Sequence, residues 1–251
     1  MKSPAPAEKE CAGFCFYWYN ALMSDKRVNI FIDGGNFYHL ALRKLGSSES
    51  NFDFEKFAIF LANGRKISDM GKRFYIGTVS ERPGDQRSKE AMSKQTALFT
   101  RLRNLNWEIK TSKLRKRLEE IKIDDRVVDY KNILKTGIEK IQYERLREKG
   151  IDVKLATDLI VGAIDDKYDV AVVVSSDADI VPAIDWVRNR THKKVEYVGF
   201  SIIDMNDEKK STIPSLTLIA KTDIQRTLVA SDLKPFIQET LFGKNSAITQ
   251  R

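Results

Sequence analysis

The stretch Asp169-Val-Ala-Val-Val-Val-Ser-Ser-Asp-Ala-Asp179 decides how the rest of the chain reads. Its apolar run is short and unbroken. That suits a strand buried on both faces, as in the middle of a parallel sheet. The run stops at two serines and two aspartates, and a helical pattern follows over 180–190. A second stretch near the N-terminus has the same grammar. Val28-Asn-Ile-Phe-Ile-Asp-Gly-Gly-Asn36 reads as a buried strand, an aspartate, a glycine turn and then a helical pattern through Leu45.

Working outward, further strands are predicted at 73–79, 107–110, 195–200 and 216–220. Helices are predicted at 53–61 with Asp53 as cap, and at 86–104, 151–164 and 233–241. Strands alternating with helices imply an α/β fold with a mostly parallel sheet. Residues 110–149 break this order. They are densely charged, with few turn signals, and Ile133, Leu134, Ile138 and Ile141 suggest some helix. The expected organisation is an N-terminal extension over 1–26, a domain over 27–241 with a charged insertion at about 111–148, and a tail over 242–251.

Composition narrows the chemistry. The 251 residues carry 43 Lys+Arg against 35 Asp+Glu, a formal net charge of +8. Such an excess suits a polyanionic partner without naming one. Two cysteines, Cys11 and Cys15, exclude a disulfide framework and a four-cysteine zinc site. Two histidines argue against a histidine-rich metal centre. His39 reads as a helix-surface or packing residue and His192 as solvated. No apolar run is long enough for a membrane span. The aromatic run over 14–19 lacks the features of a secretory signal, and Met23 reads as an alternative start.

In open α/β sheets, ligands bind beyond the carboxyl ends of the strands. Asp33 ends one of the two best strands; Asp177 and Asp179 end the other. Asp152 lies in the first turn of the helix predicted at 151–164. Asp158, six residues on, is rotated some 240° from it at about 100° per residue, so it faces another flank. Each aspartate taken singly reads as a helix cap. Together they form an acidic cluster, which repels itself unless a cation sits among the carboxylates. Mg²⁺ or Mn²⁺ suits an all-oxygen donor set and equips such a site for phosphodiester hydrolysis. A haloacid-dehalogenase site would want Asp-x-Asp after the first strand, where this chain has Asp33-Gly-Gly. A toprim domain would want a glutamate there.

These motifs resemble the NYN domains of the PIN-like nucleases, and within them the LabA-like branch. The resemblance rests on Val28–Asn36, on Lys149-Gly-Ile-Asp-Val-Lys-Leu-Ala-Thr-Asp158 and on Val172-Val-Val-Ser-Ser-Asp-Ala-Asp-Ile-Val-Pro182, and runs to about Phe200. It implies a Rossmann-like three-layer α/β/α sandwich and a metal-dependent ribonuclease. It also implies Asp33, Asn36, Asp152, Asp158, Asp177 and Asp179 as catalytic residues. Asp33, Asp152, Asp177 and Asp179 would hold the metal. Ser176 stands where the family has glycine, and Ile180 where an aromatic is common.

The expected activity is therefore hydrolysis of single-stranded RNA, with Ser175 and Ser176 at the substrate and Asn36 positioning water or phosphate. The basic residues Arg101, Arg103, Lys113, Arg115, Lys116 and Arg117 would bind backbone phosphates. A catalytically silent module that binds RNA or recruits a protein is the alternative. A cytoplasmic location without membrane contact is expected, with a homodimer left open.

Overall fold

The computed structural model describes residues 25–79, 81, 84–113, 115–147, 150–204 and 210–238, without side-chain detail at 113, 115–116 and 146–147. The expected extension, apart from its last two residues, lies outside this range, with Cys11, Cys15, the aromatic run and Met23. So does the expected tail.

Eight strands are seen among the described residues: β1 (Arg27–Asp33), β2 (Lys66–Thr78), β3 (Glu108–Lys113), β4 (Arg115–Lys122), β5 (Lys140–Arg147), β6 (Val170–Val174), β7 (Lys194–Ser201) and β8 (Ile224–Val229). Six of them form one sheet in the order β3-β2-β1-β6-β7-β8, every pair parallel. The chain runs one way from β1 through β2 to β3, then returns to β6 on the other side of β1 and runs outward through β7 and β8. The β1/β6 boundary is therefore the topological switch point, where open α/β sheets bind ligands.

Side-chain parity explains the layers. Successive strand residues point to opposite faces. Val28, Ile30 and Ile32 of β1 and Val172 and Val174 of β6 enter one core; Phe31, Ala171 and Val173 enter the other. The first core is capped by α1 (Gly34–Phe37, running into a π-helical turn Tyr38–Leu42), α2 (Phe54–Ala62) and α3 (Gln86–Asn104). The second is capped by α5 (Ile151–Ile164) and α6 (Val181–Thr191), with α4 (Tyr130–Lys135) lying in the charged stretch between. This is the three-layer sandwich that the sequence implied. Phe37 is the peg of the first core. It is fully buried, with ring centroids of Phe52, Phe57 and Phe200 5.1, 5.4 and 5.5 Å away. Truncating such a ring costs about 3–5 kcal/mol.

Three expectations need correction. Residues 216–220 are not a strand but α7 (Leu216–Lys221), because the Ser215 hydroxyl caps Leu218 N and only Leu218 is buried. The sixth sheet strand is instead β8, an edge strand whose polar alternation masked it. Strand β2 starts seven residues before the predicted 73, at Lys66. Its register against β1 jumps between Val28 and Ile30, and Met70 takes a left-handed φ of 52°. The closing helix ends early. α8 (Ala230–Leu233) gives way to a 3₁₀ turn containing Pro235, and Ile237 then bridges to Phe52.

The charged stretch is also more ordered than expected. Ile138 and Ile141 do not continue a helix. β4 and β5 pair antiparallel as a separate two-stranded ribbon, with Ile121 opposite Ile141.

Candidate metal centre at the switch point

Parity and register assemble the site. Asp33 follows Ile32 and shares the face of Phe31, so its side chain points to the α5 side of the sheet. Ile32 pairs with Val174, which places Ser175 beside Asp33. Asp33 caps α1: its Oδ1 accepts from Asn36 N at 3.0 Å and its Oδ2 from Asn36 Nδ2 at 2.7 Å. Gly34 must be glycine, since a Cβ there would lie 2.6 Å from the Phe74 ring.

Ser175 is 1% exposed and acts as a brace. Its hydroxyl donates to Asp33 Oδ2 at 3.4 Å and accepts from Asp177 N at 3.2 Å. Asp177 caps the following 3₁₀ turn through Oδ1, which accepts from Asp179 N at 2.9 Å. Its Oδ2 takes no hydrogen bond from the described residues. Asp152 comes from the other wall. The N-cap of α5 is Gly150, at φ 85°, so Asp152 is not a cap; it stands in the first turn, where the helix dipole favours an anion.

The result is a group of three. Asp152, Asp177 and Asp179 each offer an oxygen within 4.8 Å of the others. Asp33, 7% exposed, lines one pocket together with Asp152 and Asp177. That pocket is a cavity of about 400 Å³, and Gly35, Asn36, His39, Leu40, Gly150 and Ile151 complete its wall. Burial pushes the Asp33 carboxyl above its usual range; the Asn36 hydrogen bonds oppose this and the negative charge of Asp177 adds to it.

Asp158 is elsewhere. Tyr75 donates to its Oδ2 at 2.8 Å, and Arg73 and Lys110 lie 3.9 and 3.7 Å from the same oxygen. The phenol is held protonated by burial, and by the Asp158 charge and hydrogen bond. Asp158 is thus a neutralised member of a polar network over β2 and β3. Ser176 turns to Tyr197, 3.3 Å between oxygens. Of the expected phosphate binders, Arg101 is committed to structure: it donates to the carbonyls of Ser50, Glu49 and Phe52 at 2.7, 2.7 and 3.1 Å. Arg103 packs over Phe99. Arg117 is exposed, and the side chains of Lys113, Arg115 and Lys116 lie outside the description.

One pocket residue was read differently from sequence. His39, expected on the helix surface, is exposed but forms part of the pocket wall. The cue was its i+3 spacing from Asn36, which puts both on one helix face. It also lies within the π-helical turn, a deviation that recurs at functional sites.

The chain matches the family described as NYN domain over residues 27–224. It belongs to the NYN domain family. This PIN-like family is generally one of nucleases, which typically use divalent metals, and the all-carboxylate donor set fits a hard divalent cation. A relative, the 6-hydroxy-3-succinoylpyridine 3-monooxygenase HspA of Pseudomonas putida, is 28% identical over 189 residues, covering 68% of this chain. The match spans 59% of that protein's length. A solved protein of unknown function from Vibrio parahaemolyticus aligns with a TM-score of 0.46 at 18% identity, over 82% of this chain and 94% of that one. Among the described residues of this NYN protein, no helix is long and apolar enough to cross a membrane.

Proposed function

We propose that this NYN domain is a cytoplasmic, metal-dependent ribonuclease of the LabA-like branch, acting on single-stranded RNA. The observation that carries the reading is the Asp152, Asp177 and Asp179 group at the sheet's switch point, with Asp33 lining the same pocket as Asp152 and Asp177. Asp152, Asp177 and Asp179 would hold Mg²⁺ or Mn²⁺, with Asp33 contributing charge from the pocket wall. When bound, such an ion polarises phosphoryl oxygens and lowers the pKa of water.

The chain's own residues divide the remaining work. Asn36 fixes both oxygens of Asp33, so that carboxylate cannot swing away. Ser175 locks the Asp177 backbone to Asp33, setting the spacing of the two strand ends. Asp158, tied to Tyr75, supports the α5 wall rather than the reacting centre.

The test is cleavage of a labelled single-stranded RNA by purified protein with Mn²⁺, alongside EDTA and Asp177→Asn. Cleavage lost under both conditions is expected. Cleavage that survives both would overturn the metal-dependent reading. RNA bound without turnover in Mn²⁺ would favour the silent module.

A further inference from the structure

The ribbon of β4 and β5 leaves and rejoins the domain at the pocket's side of the sheet. β4 continues from the carboxyl end of β3, where Lys113 pairs with Thr78. β5 ends at Arg147, five residues before Asp152, and Gly150 and Ile151 are already pocket wall. The register then fixes which residues share a face. Arg115 is opposite Arg147, Arg117 opposite Arg145, Glu119 opposite Tyr143 and Ile121 opposite Ile141.

One face therefore carries Arg117 and Arg145 as a facing pair toward the end nearest the pocket. Like charges directly opposite on neighbouring strands destabilise a ribbon. The opposite face has a like-charge pair too, Lys122 opposite Lys140, but at the end far from the pocket, and there Glu120 holds Lys140 at 3.2 Å and Gln142 at 2.7 Å. Glu119 is the single carboxylate on the arginine face. Tyr143 donates to it at 2.8 Å, and Arg145 lies 3.6 Å from it. Arg117 is exposed and the Arg145 side chain is 55% exposed.

We infer that this arginine face is a binding platform for an RNA strand, which it delivers by its backbone to the acidic pocket. This rests on the ribonuclease reading and adds to it residues from β5 that the charged run over 101–117 did not include. Arginine suits the task because its planar fork pairs with phosphate oxygens in two-point geometry. Such contacts carry affinity without base specificity. The strand's negative backbone also offsets the repulsion between the facing arginines.

Binding is measured by fluorescence anisotropy of a 5′-labelled oligouridine in EDTA, where no turnover occurs. Arg117→Gln with Arg145→Gln is expected to weaken binding about tenfold near physiological salt. It should also reduce the slope of log affinity against log salt by about 1.4, at roughly 0.7 per lost phosphate contact on a single strand. Lys122→Gln with Lys140→Gln, at the far end on the other face, should leave affinity within about twofold. Thermal melting of both variants confirms that the fold persists.

Equal affinity and slope for the arginine variant and wild type would overturn the platform, as would an equal loss in the lysine variant. Displacement of the RNA by polyglutamate as efficiently as by unlabelled RNA would overturn it too, because the face would then be a general polyanion surface. If the platform binds but Mn²⁺ yields no cleavage, the ribonuclease reading fails and the platform stands. If cleavage proceeds with an unchanged KM in the arginine variant, the reverse holds.

Discussion

The two ends of β1 both gather aspartates, and they treat them in opposite ways. At the amino end, Arg27 donates its backbone N to Asp169 at 2.8 Å, and its guanidinium pairs with Asp169 at 3.1 Å and Asp166 at 2.9 Å. Lys193 pairs with Asp169 at 3.2 Å and also reaches Asp166. Two carboxylates meet two cations. About 20 Å away, at roughly 3.3 Å per residue, the carboxyl end collects Asp33, Asp152, Asp177 and Asp179. Among the described residues, no Lys or Arg forms an ion pair with any of these four. The titration behaviour differs accordingly. Burial works against ionisation of Asp169, but its hydrogen bonds from Arg27 and Lys193 outweigh that and hold it well below the usual carboxylate range. Asp33 moves upward. A protein that neutralises one acidic corner and leaves the other unbalanced has a place for an external cation at the second.

The largest expected effect tests that asymmetry by function. Asp177→Asn should cut Mn²⁺-dependent RNA cleavage by about 10²–10³-fold, the scale of losing one preorganised electrostatic group. Asp166→Asn at the other end should leave the rate nearly unchanged. Comparable losses at both ends would mean that the variants act through folding and would break the contrast. A second readout needs no substrate. Mn²⁺ at about 100 times its Kd should add about 2.7 kcal/mol to wild-type stability. In a domain of this size that is about 5–10 °C in Tm. The shift should largely vanish in Asp177→Asn; a shift retained there would place the cation elsewhere.

Much of this contrast was legible in the sequence, because the two central strands carry it. Val170–Val174 is uniformly apolar and Val28–Ile32 is apolar but for Asn29, a pattern that suits a doubly covered strand, and each leads into its aspartates, the first through two serines and the second directly. The edges were harder. Ile224-Gln-Arg-Thr-Leu-Val229 covers one sheet edge with alternating polar residues, while Leu216–Lys221 is a β-like composition whose fate is set by the Ser215 cap. The ribbon was invisible for a related reason. Its strands are paired only with each other, so charge replaces the apolar alternation that marks a buried sheet. Within the site, the strand-end aspartates were readable because their positions follow from chain order. The diversion of Asp158 to Tyr75 was not, since Tyr75 is 83 residues away in sequence. The commitment of Arg101 to loop carbonyls likewise depends on tertiary packing.

Asp169→Asn should weaken the fold by about 1–2 kcal/mol. Charge-assisted hydrogen bonds of this kind contribute somewhat more than neutral ones, and partial exposure reduces that share. The pH dependence has a definite sign. Asp169 is more acidic folded than unfolded, so its contribution is complete above the ordinary carboxylate pKa of 3.8 and is lost as pH falls through the folded value. Urea melts across the acid range should show wild type losing more stability than Asp169→Asn. Parallel curves would show that the amino-end network contributes nothing.

The smallest effect is the most diagnostic, because it runs against the usual cost of substitution. Asn caps a helix as well as Asp, so Asp177→Asn keeps the bond from Asp179 N while removing the charge that acts on Asp33. In EDTA at neutral pH the variant should be more stable than wild type by about 0.5–1 kcal/mol, the trade often seen when a functional-site strain is relieved. The raised Asp33 carboxyl holds its proton more tightly folded than unfolded. Its favourable contribution is therefore complete below 3.8 and is lost as pH rises through the folded value. The advantage of Asp177→Asn should accordingly be absent in acid and grow as pH climbs through that window. Saturating Mn²⁺ should reverse the order, since the wild type alone retains the full carboxylate group. An apo variant less stable than wild type at neutral pH would show that the carboxyl end is not under electrostatic tension, and the two ends of β1 would then differ in sequence but not in physics.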